Sequence, residues 1–158
     1  MTAPEIIEKL NLAPLPNEGG WFRRNWTSPE KWNTTDQAAG SAIYYLITPE
    51  NFSTLHKVTT DELFHFYKGD PCQFLIIHHD GHVEQPILGS DLTNGQKPQI
   101  CIPANCWQGL KPISEKFGYS LMGATLAPEF VWEDFAHGKE DLLEEYPKIP
   151  QIKDYLAK

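Results

Sequence analysis

His56, Glu62 and Gly69 stand in the stretch FSTLHKVTTDELFHFYKGD, Phe52 to Asp70. An imidazole and a carboxyl group that face one enclosed space can chelate a divalent metal or move a proton. Burial raises the pKa of such a carboxyl, whereas a neighbouring cation lowers it. The same pair can also sit in a core and satisfy only itself, because ion-pair networks perturb titration without serving a function.

Strands must bring the two groups together. A period of two puts His56 and Val58 on one face. Thr59, Thr60 and Asp61 suit a turn, after which Glu62, Phe64 and Phe66 share a face and Leu63, His65 and Tyr67 take the other. His65 reaches the Glu62 face only through a bulge. His56 is thus the candidate general base, with Glu62 orienting or pairing it.

Other residues could complete a ligand site. Arg23, in EGGWFRRNW, offers a bidentate donor to a carboxylate or phosphate. Trp21, Phe64, Phe66 and Trp107 can supply apolar or stacking walls. Tyr44 and Tyr67 are candidate proton donors, and the amide of Gln108 is a candidate hydrogen-bond partner. Gly19-Gly20 reads as a turn or a close backbone approach, since no phosphate-loop spacing follows. In CQFLIIHHDGHVEQPIL, Asp80-Gly81 marks a hairpin. There His79 and His82 are expected to face each other with His78 on the other side, an ordinary polar tip.

The surrounding elements are mostly strands. Thr2-Ala3-Pro4-Glu5 fits a capping box ahead of a short helix over 3–11. Between 18 and 136, short β-branched and aromatic runs such as SAIYYLITPE alternate with Gly and Pro punctuation. Residues 139–157 turn charged and helical, interrupted by Pro147 and Pro150. The expectation is one all-β domain over 1–158, a sandwich or barrel between helical ends.

Composition narrows the function. The 158-residue chain carries a net charge of −8, which disfavours nucleic-acid binding through clustered Lys and Arg. No apolar run approaches the roughly 20 residues of a membrane helix. Cys72, Cys101 and Cys106 form no Cys-x-x-Cys pair, so they read as small core residues in a reducing cytoplasm.

The stretch resembles the first cupin motif at His56, Glu62 and Gly69. Val58 replaces that motif's second histidine, and Glu50 stands for its opening glycine. PANCWQ resembles the second motif at Pro103 but carries Asn105 for glycine and Gln108 for the last ligand histidine. With PNEGGWFRRNW and LAPEFVWEDF, the chain is similar to the cupin-5 family over roughly 10–136. The resemblance implies a double-stranded β-helix (jelly-roll barrel), pairing into a homodimer, and kinship with sugar-nucleotide epimerases and isomerases. It also implies that His56, Glu62 and Gln108 would be the surviving donors if a divalent metal were bound. Valine cannot coordinate and an amide oxygen is a weak ligand, so no metal cofactor is expected. The preferred expectation is a small polar, sugar-like ligand in a metal-independent epimerase or isomerase pocket. A non-catalytic binding protein and a metal-dependent oxygenase or isomerase are the alternatives.

Overall fold

The computed structural model describes residues 1–157. Helix α1 (Ala3–Leu10) begins at a Thr2–Glu5 capping box and ends where Asn11 turns left-handed at φ 51°. The strands are β1 (Ala13–Pro14), β2 (Trp21–Thr27), β3 (Ser41–Ile47), β4 (Ser53–Lys57), β5 (Glu62–Gly69) and β6 (Cys72–Ile77). They continue as β7 (Val83–Glu84), β8 (Ile87–Leu88), β9 (Gln99–Ile102), β10 (Trp107–Pro112), β11 (Ser120–Leu126) and β12 (Ala136–His137). Helix α2 (Asp141–Glu145) and a 3-10 turn (Pro150–Asp154) close the chain, split as Pro147 and Pro150 require.

These strands build two antiparallel six-stranded sheets. One runs β1-β2-β3-β11-β5-β9; the other runs β12-β4-β10-β6-β7, with β8 also on β6. The architecture is the expected all-β jelly roll. Between the sheets lie side chains such as Tyr45, Ile47, Phe64, Phe74, Leu110 and Met122. Each fully buried aliphatic or aromatic side chain of this kind contributes on the order of 1.5–3 kcal/mol. Helix α1 covers Leu46 and Tyr119 on the outer side of the first sheet, and the C-terminal segment covers Leu55 and Leu75 on the second.

Two details differ from the sequence reading. Strands β4 and β5 do not pair as a hairpin: β4 belongs to the second sheet and β5 to the first. His56 and Glu62 therefore approach from opposite walls. Cys101 is exposed on β9, whereas Cys72 and Cys106 are buried. Burial pushes the Cys72 thiol up to about 12, which keeps it neutral in the core.

The motif glycines have steric reasons. Gly69 sits at φ +105°, and a Cβ there would lie 2.2 Å from the Tyr119 carbonyl oxygen. Asn105 occupies the motif's other glycine position at φ 64°, a left-handed turn that asparagine tolerates. Gly19 matters most for the site. Its φ is +105°, and an added Cβ would meet the Phe52 carbonyl oxygen at 2.2 Å. That close approach lets the Glu18 carbonyl accept from the Thr54 amide at 2.9 Å and its hydroxyl at 2.8 Å. Gly19→Ala should lower unfolding free energy by about 1–3 kcal/mol, measured by denaturant titration. A loss near zero would mean that the loop relaxes freely.

Candidate functional site

A cavity of about 270 Å³ lies between the sheets, walled mainly by Leu15, Phe22, Ile43, Tyr45, Phe64 and Leu126. Its polar groups come from Glu18, Arg24, Ser41, His56 and Glu62, and Phe130 and Trp132 line its edge. Alternation explains the membership. On β2, Phe22 and Arg24 point inward; on β3, Ile43 and Tyr45 do so.

Strand β4 holds His56 between two neighbours, opposite Gln108 of β10 and His137 of β12. The ring is buried and stacks on Phe135, with centroids 5.5 Å apart and planes 14° from parallel. Its Nδ1 donates to the Thr54 carbonyl at 2.8 Å. A carbonyl only accepts, so Nδ1 carries a proton, and the neutral tautomer of the ring has its lone pair on Nε2. Glu18 Oε1 lies 3.8 Å from Nε2, beyond a direct hydrogen bond, and accepts from the Ser53 hydroxyl at 2.8 Å. That gap suits a bridging water or a ligand atom.

Glu62 faces this group from β5. Its Oε2 accepts from Gln108 Nε2 at 2.8 Å. Burial raises its pKa to about 7, against the opposing pull of His56 and with a further push from Glu18. The remaining Gln108 oxygen is buried with no hydrogen-bond partner among the described residues. His137, which received no role from the sequence, has its pKa lowered mainly by burial, and its Nδ1 is likewise unpartnered.

Several candidates stand elsewhere. Arg23, Tyr44 and His65 occupy one cross-strand row on the outer face of the first sheet, because β2, β3 and β5 turn these alternate positions away from the cavity. Arg23 lies 5.5 Å from the Tyr44 ring centre, and His65 contacts Gln99 and Thr125. Tyr67 is 51% exposed on the same face, above Gly123. As proton donors or ligand contacts for the cavity, Arg23, Tyr44, His65 and Tyr67 are therefore corrected by strand alternation. Phe66 packs in the inner core without lining the cavity. Trp107 lies under Lys57 beside the C-terminal segment, and Trp21 packs beneath α1.

The residues missed were Glu18, Arg24, Tyr45, Phe130 and Trp132. Strict alternation within WFRR and AIYYLI distinguishes Arg24 from Arg23 and Tyr45 from Tyr44. Glu18 has no local signal, since a loop with close backbone contacts delivers it. Arg24 holds the cavity edge: Nη1 donates to Glu129 at 2.8 Å and Nη2 to the Phe130 carbonyl at 2.7 Å. Glu129 also accepts from the Ala38 amide, which, with Arg24, keeps its carboxyl below the ordinary range.

A cupin transition-metal site does not fit this arrangement. The position beside His56 is the aliphatic Val58, and Gln108 turns its amide nitrogen, not its oxygen, to Glu62. Among the described residues, no three His, Cys, Asp or Glu donors converge within 4.8 Å inside the cavity.

A jelly-roll barrel with motif residues at His56, Glu62 and Gly69 defines a cupin-type pocket protein. Residues 4–138 match Cupin_5, the cupin superfamily family DUF985, and the chain belongs to that family. A hypothetical protein from Leishmania major has a similar solved structure, with 28% identity, a TM-score of 0.92 and full coverage of both chains. Uncharacterized protein YML079W of Saccharomyces cerevisiae is 26% identical over 143 residues, spanning 79% of this chain and 71% of the yeast protein. A cupin 2 conserved barrel domain protein from Rhodopseudomonas palustris shares the fold alone, at 13% identity and a TM-score of 0.62 over 93% of this chain and 90% of that one.

Glu62 gives the cavity a pH signature. Its folded pKa of about 7 exceeds the ordinary 4.5, so the native state holds this proton more tightly than the unfolded chain. The linked stability is present at low pH and is lost as pH rises through the interval between those values. Glu62→Gln removes that loss. Relative to the parent, its unfolding free energy should climb by a few kcal/mol between about pH 5 and about pH 8. A pH-independent difference in denaturant titrations would contradict the raised carboxyl pKa.

Proposed function

We propose that the cavity binds a small molecule with a carbonyl head and an apolar body, and that His56 and Glu62 move a proton on it. The reaction class is isomerase- or epimerase-like and independent of metal. One observation carries this reading: His56 has its proton locked on Nδ1 by Thr54, while a carboxyl poised near neutrality lines the same enclosed space. Neutral Nε2 can take a proton from the carbon next to the carbonyl. The C–H electron pair then forms the new C=C bond as the carbonyl oxygen becomes an enol, receiving its proton from Glu62. Return of a proton from His56 to the same carbon, on either face, while Glu62 takes back the enol proton, restores the carbonyl and both side chains, and delivery to the opposite face is an epimerisation. Such positioned acid–base groups contribute typically about 10²–10⁴-fold in rate.

The lining refines the substrate expectation. Leu15, Phe22, Ile43 and Leu126 would leave the many hydroxyls of a free sugar unpaired. A ligand with one polar end set toward His56, Glu18 and Glu62 avoids that cost. The same lining supports non-catalytic binding as a second reading. Deuterium exchange into a panel of aliphatic and aromatic ketones and aldehydes, followed by NMR in deuterated buffer, separates the two. His56→Asn, folded by circular dichroism, should lose exchange by about 10²-fold or more, and Tyr67→Phe should retain it. Unchanged exchange in His56→Asn removes that residue as base. Binding without exchange by the parent supports the binding reading.

We also propose that the outer face of the first sheet meets a second copy of the chain. Support comes from the exposed Tyr67 and Trp26 and from the buried Arg23 Nε, which has no partner among the described residues. Light scattering at micromolar concentration should give twice the chain mass, falling toward the monomer in Tyr67→Glu. A monomer mass for the parent would overturn the contact.

A further inference from the structure

The hairpin tip after β6 differs from the arrangement expected of it. His78 and His82, not His79 and His82, come together, with ring centres 3.8 Å apart and planes 10° from parallel. The His78 amide donates to the His82 carbonyl at 2.9 Å, so the turn itself fixes the pairing. Glu84 on β7 reaches back to both rings: its Oε1 lies 2.7 Å from His78 Nε2 and 3.7 Å from His82 Nε2.

Both imidazoles are also held from behind. Asp80 Oδ1 lies 2.6 Å from His82 Nδ1, and it accepts from the His82 amide at 3.1 Å. Cys106, buried just before β10, places its Sγ 3.5 Å from His78 Nδ1. Each ring therefore uses Nδ1 for support and turns Nε2 toward the shared carboxylate oxygen. A carboxylate behind an imidazole fixes its tautomer and raises its basicity as a ligand.

We propose that His78, His82 and Glu84 form a binding site for a divalent metal ion of the zinc class, with Asp80 and Cys106 orienting the two imidazoles. Two imidazoles and one carboxylate suit zinc, and they leave a coordination position open to water. On a tetrahedral ion with bonds near 2.0 Å, neighbouring donor atoms lie about 3.3 Å apart. The two nitrogen–oxygen separations, 2.7 and 3.7 Å, bracket that spacing. Closure needs Glu84 to retreat slightly and the stacked rings to splay. Both motions are open to side chains that are 53% and 54% exposed, Glu84 and His82. Cys106 stays outside the ligand set, because it contacts the edge of His78 opposite Nε2. The ligands come from the end of β6, the turn and β7, so the ion would hold the hairpin closed. This site is independent of the cavity chemistry, which uses neither His78 nor Glu84.

The test uses chelator-treated protein without a polyhistidine tag. Calorimetric titration with Zn²⁺ should show one equivalent bound with micromolar or tighter affinity. Co²⁺ should give the visible absorption of a four- or five-coordinate nitrogen–oxygen site. His82→Ala and Glu84→Gln should each weaken Zn²⁺ binding by at least about 10-fold, and Asp80→Asn, which keeps all three ligands, by about 10-fold. Absence of binding at millimolar Zn²⁺ overturns the site. So does full affinity in His82→Ala, or a stoichiometric ion lost only in His56→Ala, which would place it in the barrel. Unchanged affinity in Asp80→Asn would overturn the orienting role of that carboxylate.

Discussion

Withdrawal of the Glu62 carboxyl from water is the constraint around which the cavity is organised. An ionised carboxylate in an apolar enclosure is costly unless it is paired. The protein supplies a partial answer: an amide from Gln108 and the nearby imidazole of His56, without a full ion pair. The carboxyl is therefore left close to balance between its two forms. Two sheets are needed for this, because each delivers one of the partners and together they exclude solvent from both. A hairpin of neighbouring strands would have presented the same side chains to one open surface.

The supporting contacts make the imidazole directional. The Thr54 carbonyl fixes the proton on one edge of the ring, Phe135 covers its face, and Ser53 restrains Glu18 at the other edge. The Glu18 loop depends in turn on a backbone approach that only glycine at position 19 permits without strain. Much of the precision here thus comes from main-chain packing, with few charged groups involved. That is consistent with a site whose donors suit proton movement better than ion coordination.

The fold was readable because several local signals agreed. The capping box at Thr2, the β-branched run of β3 and the prolines of the C-terminal segment each specify their elements by local sterics. His56 and Glu62 were readable as a facing pair because strand alternation and motif spacing coincide. The sheet assignment of β4 and β5 was not, since a short turn between strands looks the same whether it closes a hairpin or crosses a barrel. Sequence does not separate Arg23 from Arg24, because composition alone cannot set the phase of an alternating strand and the preceding Trp21 and Phe22 are both apolar. Glu18 and the His78–His82 stack depend on loop geometry, for which one sequence carries little information.

The clasp between Arg24, Glu129 and the Phe130 carbonyl bears on what can pass the cavity edge. Its guanidinium is already neutralised by an internal counterion that the Ala38 amide holds in place. An anionic guest would have to displace that counterion and leave a second negative charge stranded beside it. A neutral guest faces no such exchange. The Arg24 edge of the cavity therefore presents a compensated pair and no free cation, and raising ionic strength would loosen that pair as its charges are screened.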